Sequence, residues 1–153
     1  SILSREPKAH LYYVGTGALE GAVEKKVASL GLEDSVHLLG YVRNPYPLMR
    51  QADCILSTSH SEGFQSVFIE GFSLGVPFIS TPAGAAEELA EACGGGAVIF
   101  DGSEAGSAFE RLRHEAALPG YRRKLESFAE SLSIDAFVDA FEAVAEEAIG
   151  ENQ

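Results

Sequence analysis

Glu62 and Glu70 bracket the most chemically suggestive stretch of the chain, Ser57-Thr58-Ser59-His60-Ser61-Glu62-Gly63-Phe64-Gln65-Ser66-Val67-Phe68-Ile69-Glu70-Gly71. A polar, glycine-containing loop leaves a short apolar run and feeds straight into a helical pattern. Backbone N–H groups around Ser66 and Val67 then lie at the positive end of that helix, where no earlier turn accepts their hydrogen bonds, and such an end is a ready anion site. Glu62 sits in the loop. Glu70 falls about one turn into the helix among Val67, Phe68, Ile69 and Phe72, where a carboxylate needs a reason to be. Composition alone leaves Glu70 open between an exposed helix residue and a ligand group.

Other motifs say less. Gly15-Thr16-Gly17 follows an apolar run and opens a helical pattern, which invites a dinucleotide reading, but position 20 is Glu20 and not the third glycine. The next apolar run ends in Leu38-Leu39-Gly40 with no acid to hold a ribose, so a tight turn able to approach a phosphate fits better than an NAD site. His60 lies in the polar loop, facing either solvent or substrate. His10, His37 and His114 have no acid or nucleophile beside them in sequence and read as structural. Cys54 and Cys93 have no CxxC partner and no histidine at a metal-ligand spacing, so they read as two buried free thiols. No carboxylate cluster resembles a Mg²⁺–diphosphate site, and no metal is expected.

The elements that must position these residues follow from periodicity. Ala9–Val14 reads as a buried strand and Ala18–Leu30 as a helix closed by Gly31. Ser35–Leu39 is a second strand, and a short helix follows with Asn44 as N-cap and Pro45 at its first position. Further strands fall at Cys54–Ser57, Pro77–Ser80 and Ala97–Phe100, with helices at Val67–Leu74 and Glu87–Cys93 between them. From Ser103 onward the pattern is helical, broken near Leu118-Pro119-Gly120 and again around Ser133-Ile134-Asp135. Tyr12, Tyr13, Phe68 and Phe72 read as core. Short apolar strands alternating with helices indicate an α/β fold, a Rossmann-like three-layer sandwich on a parallel sheet followed by C-terminal helices. Ligands of such sheets sit beyond the carboxyl ends of the strands.

With 153 residues, 46% of them apolar, the chain suits a single domain. A net charge of −12, with 11 basic residues against 23 acids, argues against nucleic acid and against an anionic membrane. The acidity is concentrated after residue 86 and reads as solvated helix faces. No apolar run is long enough to span a membrane and the first residues lack a signal-peptide pattern, so a cytoplasmic location is expected.

The pair Glu62 and Glu70, set within Ser-x-x-Glu-Gly-Phe and Glu-Gly-Phe-Ser-Leu-Gly-Val-Pro, strongly resembles the C-terminal, donor-nucleotide-binding half of retaining GT-B glycosyltransferases, family four, the glycosyl transferases group 1. The surroundings match in order: Tyr13-Val14-Gly15-Thr16-Gly17, Val36-His37-Leu38-Leu39-Gly40-Tyr41-Val42, Ala52-Asp53, Pro77-Phe78-Ile79-Ser80-Thr81 and Gly84-Ala85-Ala86-Glu87-Glu88. The likeness covers about residues 9–101.

The resemblance implies a role for each matched position. Glu62 corresponds to the glutamate that hydrogen-bonds donor-sugar hydroxyls, helped by the N–H groups of Gly63 and Phe64. Ser66 and Val67 match the diphosphate-binding helix start, with Gly15 in a turn close enough to approach phosphate. Glu70 matches the glutamate that binds the ribose hydroxyls, and Tyr41-Val42-Arg43 the segment lining the nucleobase pocket. It further implies a UDP- or GDP-sugar donor, transfer with retention, no cofactor, and an acceptor in polysaccharide or glycolipid synthesis. The family's Arg and Lys phosphate clamp precedes the Tyr12-Tyr13-Val14 strand, and neither Arg5 nor Lys8 fits its pattern. The expectation is therefore an excised half, without its N-terminal acceptor domain or the first strand of this domain, and inactive by itself. Two other readings stay open: a nucleotide-sugar epimerase of the same architecture, and a non-catalytic Rossmann-like binding module.

Overall fold

The computed structural model describes residues 2–133 and 135. Its elements run α1 (Ile2–Arg5), β1 (Leu11–Val14), α2 (Glu20–Ser29), β2 (Val36–Gly40), α3 (Tyr46–Met49), β3 (Ile55–Ser57), α4 (Ser66–Ser73), β4 (Phe78–Ser80), α5 (Ala86–Cys93) and β5 (Gly96–Val98). A 3-10 turn at Gly102–Glu104, α6 (Ala105–Ala116) and α7 (Tyr121–Ser131) follow. The expected α/β alternation and parallel pairing are both present. The helical continuation expected past Asp135 lies outside the described residues.

The core is built on β4. Phe78 points to one face of the sheet and Ile79 to the other, and every residue of this strand is buried, as a central parallel strand requires. On one face Phe68 and Phe72 of α4, Leu89 and Cys93 of α5, and Tyr121, Leu125 and Ala129 of α7 gather around Phe78. On the other, Ile79, Ala97 and Ile99 meet Phe109 and Leu112 of α6, with Ile2 of α1 packed alongside. These are the three layers. Salt bridges Arg5–Glu110 at 2.8 Å and Arg113–Glu6 pin α1 to α6, although each is solvent-exposed and adds little beyond the apolar contact.

Two expectations need correction. Ala9–Val14 does not form a buried strand: Leu11, Tyr12, Tyr13 and Val14 keep 38–52% of their surface exposed, so Tyr12 and Tyr13 are not core. The physical reason is a gap in cover. Among the described residues the strands form two hydrogen-bonded groups, β1–β2 and β3–β4–β5, β1 has a partner on one edge only, and no residue of α2 is buried. The thiols also differ. Both are free, but only Cys93 is buried while Cys54 is half-buried. Desolvation, then the Asp53 carboxylate, pushes the Cys54 thiol up to about 12, which keeps it a poor nucleophile.

Boundaries differ in smaller ways. Pro45 is the N-cap residue of α3 rather than its first helical position, and Pro47 lies in the first turn. Asn44 is therefore not the N-cap, although its Oδ1 accepts the Tyr46 N–H at 3.2 Å. The turn at Gly102 is closed by a capping box between Asp101 and Glu104, a local signal that ends β5 earlier than Phe100.

Phe78 lies flat on Phe68, with centroids 4.0 Å apart and planes 7° apart, and is itself fully buried. Phe78→Ala is expected to cost about 3–5 kcal/mol, read as a fall in the urea midpoint. A loss under about 1 kcal/mol would show that α4 is held to the sheet by something else.

Candidate functional site

The loop between β3 and α4 is fixed from below by β4 and from the side by the loop that follows it. Thr81 donates its N–H to Ser57 O at 3.2 Å and its hydroxyl to Ser59 O at 2.5 Å. Gln65 is buried and donates Nε2–H to Ala83 O at 2.7 Å. Ser59 donates its hydroxyl to Glu62 Oε1 at 2.8 Å, which sets the direction of that exposed carboxylate. Sequence reasoning missed Ser59, Gln65 and Thr81 as supports. The one available signal was Gln65, a large amide amid small and apolar residues.

At the head of α4 the chain turns from extended backbone at Gln65 directly into helix, and no side chain caps the first turn. The N–H groups of Ser66 and Val67 therefore face outward without an intrahelical acceptor. No acid stands in this first turn, whereas α2 begins with Glu20 and α5 carries Glu87 and Glu88. Of these three helices that follow strand ends, only α4 presents an undiluted positive terminus. One turn along it, Glu70 is half-buried. Its carboxylate has no hydrogen bond or ion pair among the described residues.

The structure thus brings Glu62, Gly63, Phe64, Ser66, Val67 and Glu70 together around one helix start, with Phe64 largely exposed. Gly15, Tyr41, Val42 and Arg43 form a second group beyond β1 and β2. There Gly15, at φ 132°, donates its N–H to Gly40 O at 2.8 Å, and Tyr41 is 78% exposed. No hydrogen bond or ion pair between described residues connects the two groups. Among the described residues, no three His, Cys, Asp or Glu side chains converge to hold a metal ion, and no helix is long and apolar enough to cross a membrane.

A family model described as glycosyl transferases group 1 matches residues 1–114. The chain belongs to that family. An uncharacterized glycosyltransferase of Methanocaldococcus jannaschii is 32% identical over 80 residues, 52% of this chain and 20% of that protein. Among solved structures, WaaG, a glycosyltransferase involved in lipopolysaccharide biosynthesis, superposes with a TM-score of 0.72 at 21% identity, covering 86% of this chain and 36% of that one. Anabaena Alr3699/HepE in complex with UDP gives 0.73 at 20% identity, covering 93% and 42%. The group 1 chain thus spans well under half the length of these relatives, and at such identities the structural likeness establishes the Rossmann-like fold of a GT-B glycosyltransferase domain.

Gly84 tests how tightly this family member needs its loop clasped. At φ +56° a Cβ there would lie 2.6 Å from Gln65 Oε1 and 3.0 Å from Gly63 O. Gly84→Ala is expected to cost about 1–3 kcal/mol in chemical denaturation and to displace the Gly63–Gln65 backbone. Unchanged stability together with unchanged amide NMR shifts at Gly63 and Phe64 would refute the clasp.

Proposed function

We propose that this chain is the donor-binding domain of an enzyme that moves a sugar from a nucleoside diphosphate to an acceptor hydroxyl, retaining the anomeric configuration. The observation that carries this reading is the uncapped, acid-free start of α4 flanked by Glu62 and Glu70. Family membership supports it, and so does the UDP bound to the Anabaena protein.

In this reading the donor diphosphate docks on the Ser66 and Val67 N–H groups. The charge that develops on it as the sugar–phosphate bond breaks meets dipoles already aligned. Glu62, aimed by Ser59, accepts hydrogen bonds from sugar hydroxyls, while the Gly63 and Phe64 N–H groups hold the ring. Glu70 takes the ribose hydroxyls, which gives a half-buried carboxylate without a partner among the described residues its partner. Tyr41–Arg43 line the base, the uracil of UDP or the guanine of GDP. The oxocarbenium-like sugar is attacked from the face the nucleotide leaves, so neither glutamate acts as a nucleophile, unlike the carboxylates of retaining hydrolases. No metal or cofactor takes part, and the acceptor belongs to a polysaccharide or glycolipid, a reading supported by the likeness to WaaG, which is involved in lipopolysaccharide biosynthesis.

A whole domain in this reading includes one more strand, supplied from outside residues 1–153 and lying between β1 and β3. Among the described residues each of those two strands has one unpaired edge, and the exposed apolar side chains of β1 give the new strand and its helix something to cover. The acceptor domain is likewise supplied from outside. This chain alone then binds donor nucleotide and performs no transfer.

Titration of the chain with UDP, GDP and ADP by NMR tests the site. Binding is expected on the order of millimolar, about 4 kcal/mol, selective for one base and lost in Glu70→Ala. Adding the native residues upstream of position 1 is expected to tighten binding and raise the urea midpoint. Failure of both the chain and the extended chain to bind any nucleotide sinks the proposal.

In the longer protein, Glu62→Ala is expected to lower kcat/KM for transfer by about 100-fold or more, and EDTA to leave the rate unchanged. Interconversion of free nucleotide sugars without acceptor would instead favour an epimerase. Abolition of transfer by EDTA would overturn the metal-free mechanism.

A further inference from the structure

Tyr12 and His37 are register partners across β1 and β2, and His10 stands two residues before Tyr12 on the same face. The three rings stack in a row: Tyr12 on His37 with centroids 4.8 Å apart, and His37 on His10 at 5.2 Å, with interplanar angles of 27° and 28°. Nδ1 of His10 and Nε2 of His37 approach to 3.0 Å. This cluster lies near the amino ends of β1 and β2, at the opposite end of the strands from the loops that carry Glu62 and Tyr41. The donor reading makes no use of it.

Two imidazole nitrogens on one metal ion, at bonds of about 2.0–2.1 Å and angles of about 90–109°, sit roughly 2.9–3.4 Å apart. The observed separation falls within that span, although with ring centroids 5.2 Å apart the two nitrogens face each other nearly head-on, so the rings must pivot before both lone pairs meet one ion. We propose that His10 Nδ1 and His37 Nε2 form a bidentate site for a borderline divalent cation of the Ni²⁺, Cu²⁺ or Zn²⁺ class, with water in the remaining positions. The inference rests on the juxtaposition of these two ring nitrogens and is independent of the proposed function.

Two neutral imidazoles each keep one ring proton, and the 3.0 Å contact holds one of those protons between the rings. Chelation needs both facing lone pairs. The shared proton therefore moves to the far nitrogen of its own ring, Nε2 of His10 or Nδ1 of His37, and no proton is lost overall. Stacking on Tyr12 restrains the His37 ring, so the pivot that brings the two lone pairs together falls mainly on the exposed His10 ring. His10 is exposed and His37 half-buried, which leaves the outer coordination positions open to water. The metal would clip β1 to β2, the strand pair with the least apolar cover.

Titration of the tag-free chain with Ni²⁺ in a non-chelating buffer tests this. One saturable site is expected, with Kd in the range of about 1–100 µM. His10→Ala and His37→Ala should each weaken it at least tenfold. His37→Phe keeps the stack on Tyr12 but removes the ligand nitrogen, and it should abolish the site in a folded chain. His60→Ala, His114→Ala and Cys54→Ser should leave it intact. Ni²⁺ should raise the Tm of the parent chain and not that of His37→Phe. Under Cu²⁺, the parent chain should give an EPR spectrum with nitrogen hyperfine structure that His37→Phe lacks. Binding that survives loss of either histidine, or that fails to saturate below about 1 mM, overturns the proposal.

Discussion

The flat contact between Phe68 and Phe78 orients α4, and α4 carries most of the site. Phe78 alternates with Ile79 on β4, so its ring must leave one face of the sheet. The ring of Phe68 covers it, and Phe72 closes the cluster at 5.6 Å in a tilted pair. Phe68 and Phe72 are four residues apart and share one stripe of α4. Burying that stripe turns Ser66 and Val67 toward the strand ends and leaves Glu70, two residues past Phe68, at the margin of the core. The half-burial of Glu70 is thus a consequence of helix rotation, and the rotation is set by aromatic packing. Gly71 belongs to the same constraint. A Cβ there would meet Ile55 Cδ1 at 2.4 Å, so glycine lets α4 lie close to β3 and brings the helix start near the loop it must receive.

The two strand groups differ for a reason that bears on function. Around β3–β5, both faces are covered by helices and the loops at the carboxyl ends are tied by Thr81 and Gln65. Around β1–β2, the rings of Tyr12, His37 and His10 stack on one another in place of packing under a helix layer. An anion site built from backbone N–H groups needs rigid geometry, since those groups cannot swing toward a ligand as a lysine can. The well-packed half supplies that rigidity. Tyr41–Arg43, which the proposed reading sets against the base, lie beyond β2 on the poorly covered half, so ordering them on binding would cost part of the affinity.

Much of this was legible in the chain. Alternating apolar runs and helical periods marked every strand and most helices, and the segment from Ser57 to Gly71 announced a strand, a loop and a helix start with acids at telling positions. What escaped had physical causes. Burial of Ala9–Val14 was inferred from its own residues, but burial depends on neighbours, and β1 lacks them here. The pairing of His10 with His37 required the β1–β2 register, which sequence spacing of 27 residues cannot reveal. The clasp made by Gln65 depends on a carbonyl 18 residues away, and α1 owes its place to α6, again a tertiary contact that overrides weak local propensity.

A chain of net charge −12 looks a poor host for a diphosphate, yet the relevant field is local. Charges more than about 8 Å away are largely screened at physiological ionic strength, so the acids of the later helices count for little at α4. What counts is the first turn of each helix that follows a strand end. Glu20 and the Glu87–Glu88 pair stabilise their own helix starts and repel anions from them. Compared with those two, the start of α4 is both uncapped and free of acid. Acids thus disfavour an anion at the starts of α2 and α5, whereas the first turn of α4 carries none, and on the proposed reading that is where the diphosphate docks.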